Sequence, residues 1–259
     1  MSSKLNAFLN TLGFAVVLFV NTIASVSKIN GYNTGEISDF YPNYFVPAGF
    51  TFSIWSVIYI MIIGFVICSI AATGKKMPEP VKEVIKKACP YFQITCVLNI
   101  GWIMTWQYLY LASSLLIMIA FLITLIILYT QIRKLKNTLT PFYRFWVYHT
   151  FLVYLAWICV ATIANFTALF IGIGWQGSPL PEEIWSIIMI VIALVLSIFF
   201  VGRRKEPAYG FVLSWAFFGI YAKQLTAAKE VSTAAALSVC ILLALNITIL
   251  IKSRRARAH

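Results

Sequence analysis

Three segments of this chain set aromatic rings and amides at helical spacing. Trp55 and Tyr59 stand four apart. Asn99, Trp102 and Trp106 follow at i, i+3 and i+7, and Tyr154, Trp157, Ala161 and Asn165 fall near one face, because residues three and four apart lie one above the other on a helix. Such a set performs no covalent chemistry. Rings stack on a flat apolar molecule and amides fix its polar edges. The competing reading is structural: Trp and Tyr form belts at membrane interfaces, and Asn and Gln bridge helices. A belt does not require rings and amides to share a face, and here they do. Asn10, Asn21, Gln93, Gln107 and Asn246 are further amides in apolar stretches, open to the same two readings.

Residues for other chemistries are missing from these stretches. The eight carboxylates, Glu36, Asp39, Glu79, Glu83, Glu182, Glu183, Glu206 and Glu230, all fall in loops or at helix ends. Ion- and proton-coupled transporters usually keep an ionisable group at membrane depth. No Gly-x-x-x-x-Gly-Lys-Ser/Thr segment is present to cradle phosphates. The five cysteines, Cys68, Cys89, Cys96, Cys159 and Cys240, include no Cys-x-x-Cys pair and read as small buried hydrophobes. His149 sits in an apolar run and has the chemistry to ligate a haem iron. It lies toward one end of its helix, away from the aromatic set, and reads as a packing residue, so no metal site is expected. The other histidine is the terminal His259.

The elements holding these residues must be membrane helices. The chain is 61% hydrophobic and 11% charged, with mean hydropathy +0.87, where soluble domains are about 45–50% apolar. Stretches of roughly 20 apolar residues fall at Asn6–Val26, Phe50–Ala72, Tyr91–Leu111, Ala112–Ile132, Trp146–Phe170, Ile184–Val201, Ala208–Thr226 and Ser232–Ile251. The third and fourth need a tight turn near Ala112-Ser113-Ser114. The first resembles a signal peptide in position, but its length and its Asn10 and Asn21 make it a helix. With the N-terminus inside, seventeen of the twenty Lys and Arg residues fall in inside segments; only Lys28, Lys223 and Lys229 fall outside. The net charge of +12 therefore reflects topology and not a nucleic-acid partner. The fold expected is an all-α polytopic membrane bundle of about eight transmembrane helices, with both termini cytoplasmic. The partner is the lipid bilayer, and the expected location is the plasma (inner) membrane of a prokaryote.

Three motifs carry a family resemblance. PAGFTFSIWSVIY (Pro47–Tyr59), LNIGWIMTW (Leu98–Trp106) and VYLAWICVATIAN (Val153–Asn165) resemble, in order, the three signatures of the TspO/MBR family, the tryptophan-rich sensory proteins and translocator proteins. Departures are Val153 for a proline, Phe50 for a tryptophan, and a gap from Phe52 to Trp55 one residue short. The resemblance covers about residues 1–172 and implies a five-helix core that binds porphyrin-like tetrapyrroles, and in some members sterols. It implies a ligand site of Trp55, Tyr59, Asn99, Trp102, Trp106, Tyr154, Trp157, Ala161 and Asn165. It also implies a lid over that site in the loop Lys28–Val46, carrying Tyr32, Tyr41 and Tyr44. Pro47 and Gly49 would turn the lid into the second helix, glycine permitting strained geometry. Phe50 and Phe52 would stand at the pocket mouth.

Residues 173–259 add three helices and a basic tail. Pro181, Glu182 and Glu183 read as a helix start, with proline and acids in the first turn. This proline–acid patch also resembles the Pro-x-Glu-Glu helix edge of membrane lycopene cyclases, without the intervening residue and in a single copy. The added helices pack on the core or form a homo-oligomer contact. The function expected is a receptor, carrier or sensor for a flat hydrophobic ligand, non-enzymatic and requiring no cofactor, with porphyrin or haem as the implied bound molecule. The alternatives are a facilitative permease for an apolar solute and a pigment-modifying membrane enzyme.

Overall fold

The computed structural model describes residues 2–175 and 179–258, with the side chains of 254–258 left aside; His259 lies outside the described residues. The chain forms α1 (Ser3–Thr22), α2 (Thr34–Asp39), α3 (Ile54–Ala71), α4 (Glu79–Gln107), α5 (Leu111–Arg133), α6 (Pro141–Tyr143), α7 (Thr150–Gly172), α8 (Glu182–Ile198), α9 (Pro207–Gln224) and α10 (Lys229–Ala258). No strand occurs among the described residues. The chain is a polytopic helical membrane protein, and the eight stretches expected to span are all helical. Among the described residues six helices, most with flanking turns, are long and apolar enough to cross a membrane: Ser3–Ser27, Gly49–Ala71, Leu111–Arg133, Pro141–Gly172, Glu182–Arg203 and Lys229–Ser253. The other two are α4 and α9, each carrying amides that it buries: Asn99 and Gln107 in α4, Gln224 in α9.

Two expected boundaries are corrected. The third helix begins at Glu79 and not at Tyr91, running through Pro90. Proline removes one backbone donor and usually breaks a helix. Here the turns before it are amphipathic, burying Val81, Val84, Ile85 and Ala88, and that packing carries the helix across. The turn after α4 lies at Tyr108–Tyr110 and not at Ala112–Ser114. Leu109 takes a left-handed φ of 61°, and the Tyr110 N–H donates to the Thr105 carbonyl at 2.9 Å. Ser113 and Ser114 are then free to sit inside α5.

The chain divides into two compact units. The first is Met1–Ile37 with Ile54–Ile158, and the second is Ser38–Ser53 with Cys159–His259. The division falls within α7, after Ile158. In the first unit α4 packs along α1 and α5, and α1 packs on α3. The buried positions of α4 step Phe92, Cys96, Asn99, Trp102 or Ile103, and Trp106, one continuous stripe. Phe65, Phe92 and Phe151 close the centre of this unit, with ring centroids 4.7–5.9 Å apart. In the second unit α9 runs along α10, with α8 against both. Phe200 stacks flat on Tyr209 at 4.1 Å.

Candidate ligand site

Seven of the nine expected ligand residues meet in the first unit. Trp55 of α3 is the centre. Its ring lies 5.6 Å from Tyr59, 6.1 Å from Trp102, 6.0 Å from Tyr154 and 6.3 Å from Trp157. Trp102 in turn faces Trp106 at 6.3 Å. The planes of Trp55 and Trp102 differ by 25°, those of Trp102 and Trp106 by 22°. Three indoles therefore form a ladder of nearly parallel faces, while Tyr154 and Trp157 meet it edge-on. Trp102, Trp106, Tyr154 and Trp157 are buried; Trp55 and Tyr59 are half-buried. Phe14 packs against Tyr59 and Phe121 against Tyr154. Neither was singled out from the sequence, since a phenylalanine in an apolar helix carries no distinguishing signal.

Asn99 is the polar hub of the cluster. Asn21 Nδ2 donates to Asn99 Oδ1 at 2.7 Å, and Asn99 Nδ2 donates to the Tyr154 hydroxyl at 3.3 Å. The Tyr59 hydroxyl also bonds Asn99. Asn99 was expected to meet a ligand edge. In this structure both ends of its amide are engaged by protein, so a ligand would reach it by exchange with Asn21 or the tyrosines. A second amide network joins three of these helices, α1, α3 and α4, elsewhere. Asn10 donates to Ser69 Oγ and Cys89 Sγ and accepts from Gln93 at 3.0 Å. This network is the helix-bridging use of amides, with no aromatic ring in it.

The first half of the expected lid is tied to the end of α4. Trp106 Nε1–H donates to the Thr34 carbonyl at 3.1 Å, and Asn30 Nδ2 donates to the Gln107 carbonyl at 3.1 Å. The Gln107 amide is turned to donate to the Tyr32 and Ile29 carbonyls and accept from Thr34 Oγ1. Lys28 and the Asn33 N–H both bond Glu36 and hold its carboxyl below the usual carboxylate range. The segment is thus an ordered connector bonded to a ladder residue. The Tyr32 ring itself is exposed.

The remaining expected residues belong to the second unit. Asn165 is buried and donates back to the Ala161 carbonyl at 3.2 Å. Tyr41, Tyr44, Pro47, Gly49, Phe50 and Phe52 also fall there. Phe50 packs on Trp215 and Phe218 of α9, at 5.5 and 6.0 Å. Trp215 Nε1–H donates to the Thr51 carbonyl, and the Ala48 N–H to the Gly219 carbonyl. The aromatic opening of Pro47–Phe52 is therefore a seat for α9, a role that sequence reading missed because its partner lies over 160 residues away. Gly49 has no left-handed φ, and a Cβ there would meet nothing within 4 Å; the strained turn expected of it is not used. Gly49→Ala should leave the thermal midpoint in detergent unchanged, within about 0.5 kcal/mol as for open surface positions. A clear loss of stability would show that this glycine is required.

His149 lies against Phe145 and Tyr148. No group of His, Cys, Asp and Glu side chains among the described residues could hold a metal ion.

Comparison with known families finds a match over residues 7–249 to TSPO-like protein. The match runs through the three later helices as well as the five earlier ones. No curated protein and no solved structure matches the chain.

Proposed function

The chain belongs to the TSPO-like family, a membrane protein of receptor or sensor type, and on that premise we propose that it binds a flat, largely apolar ligand of the tetrapyrrole class. The observation that carries this reading is the ladder of Trp55, Trp102 and Trp106. Indoles held nearly parallel offer faces to a planar π system, which prefers offset stacking. Asn99, Tyr59 and Tyr154 form a polar group beside the ladder, suited to the edge of a macrocycle. The bonded Thr34–Trp106 seam supports the reading that ligand and connector are coupled: a ligand pressing on Trp106 would strain the hydrogen bond that orders the loop. A sensor needs such a link between site and surface.

The test is a titration of the detergent-solubilised protein with protoporphyrin IX, followed by the shift of the porphyrin absorbance band. Wild type should bind saturably. Trp102→Leu should weaken binding about three- to tenfold, since an aromatic pair contributes about 0.5–1.5 kcal/mol beyond its area. Trp185→Leu, outside the ladder, should bind as wild type. Equal affinity in all three proteins would reject the ladder as the site.

A further inference from the structure

The second unit holds a cavity that nothing in the proposed function uses. It lies where α7 ends and α8 begins and has a volume of about 360 Å³, within the ~300–1,000 Å³ of small-molecule pockets. Four rings form part of its wall, beside Asn43, Ser186 and Met189. Phe166 and Phe170 meet at 4.5 Å, Phe170 and Trp175 at 4.8 Å, Trp175 and Trp185 at 5.2 Å. Glu182 also lines it, one turn before Trp185 on the same face of α8. Glu183 is beside it and bonds the Tyr44 hydroxyl.

This placement is unusual for this chain. Of its eight acidic residues, Glu36, Asp39, Glu79 and Glu83 are paired with lysines. Among the described residues no cation pairs with Glu182 or Glu183. Acids suit the first turn of a helix, which accounts for their tolerance at this position. It does not account for a carboxylate with no cation beside it among the residues that line an aromatic cavity. The negative field at the rim reaches Tyr44, whose phenol is held above its ordinary range by burial and then by Glu183 and Glu182.

The ligand class follows by elimination. An anion would be repelled. A neutral apolar molecule would fill the box but strip water from Glu182 without replacing it, which is unfavourable. A bare metal ion would find a single cavity carboxylate and no ligand cluster. A cation on an apolar body satisfies both halves, since aromatic faces attract ammonium groups and the carboxylate neutralises the charge. We propose that this cavity binds an amphiphilic organic ammonium, with its apolar body against Phe170, Trp175 and Trp185 and its charged head at Glu182.

The experiment is calorimetric titration of the full chain in a maltoside detergent, which carries no ammonium. The probe is benzyltrimethylammonium, and the control is its neutral carbon isostere, neopentylbenzene. The cation should bind saturably and more tightly than the isostere. Glu182→Gln should weaken the cation about tenfold and leave the isostere unchanged; Trp185→Leu should weaken both. Competition with monomeric diheptanoyl phosphatidylcholine separates two sources of the same chemistry. Displacement of the probe assigns a lipid headgroup, and no displacement assigns a free amphiphile. Equal affinity for cation and isostere, or a Glu182→Gln effect within about twofold, would overturn the proposal. Should Glu182→Gln fail to fold, Glu183→Gln carries the same expectation in weaker form, and the cation-to-isostere ratio on wild type still decides. Protoporphyrin binding at the ladder is measured separately, so either reading can fail alone.

Discussion

Replacing Gly219 by valine should lower the thermal midpoint of the detergent-solubilised protein by about 2–12 °C. A Cβ at 219 would overlap Thr51 Oγ1 and come within 2.9 Å of Pro47 Cβ and 3.0 Å of Thr51 Cβ. The neighbours have little room to yield. Pro47 is rigid, the Ala48 N–H is bonded to the Gly219 carbonyl at 3.0 Å, and the Thr51 carbonyl is held by Trp215 at 2.9 Å. Overpacking a filled site costs about 1–3 kcal/mol, and a chain of this size shifts by about 2–4 °C per kcal/mol. Gly219→Ala should show a smaller loss. Thr51→Ala should recover part of that loss in the double variant, because contacting residues are not additive. An unchanged midpoint for Gly219→Val would mean that the Pro47–Phe52 turn does not seat on α9 this closely.

Replacing Asn99 by leucine should destabilise the first unit by about 1–3 kcal/mol, the usual consequence of leaving buried polar partners unsatisfied. Single interhelical hydrogen bonds in membrane bundles average about 0.6 kcal/mol and reach about 1.7, but Asn99 serves Asn21, Tyr154 and Tyr59 at once. The Asn21 amide keeps its bond to the Val17 carbonyl at 2.9 Å, which places the loss in the middle of the range. A cycle with Tyr154→Phe should give a coupling of about 0.5–1.5 kcal/mol, measured by thermal or denaturant unfolding. Additive effects would show that the 3.3 Å bond contributes nothing. An Asn99→Leu variant as stable as wild type would remove Asn99 as the hub.

These two expectations come from different levels of the molecule. Asn99 is visible in the sequence as an amide on a tryptophan face. Gly219 reads in the sequence only as one of several small residues that let helices pack closely; that it meets the Pro47–Thr51 turn is not visible there.

The same contrast runs through the whole chain. Composition and the lengths of apolar stretches determined that this is a helical membrane protein with eight long helices, because water and lipid act on each segment separately. Helical spacing determined that Asn99, Trp102 and Trp106 share a stripe, because 3.6 residues per turn is a local property. That Trp55 and Trp157 join this stripe, that α4 passes through Pro90, and that Phe50 turns to Trp215 were decided by tertiary structure. So was the placing of Ala161 and Asn165 in the other unit from the indoles that share their motif. Each of these depends on which helix faces meet, and a face carries no label naming its partner. Burial rewards any apolar match; only the packed bundle selects among them, by shape and by which buried amides find one another.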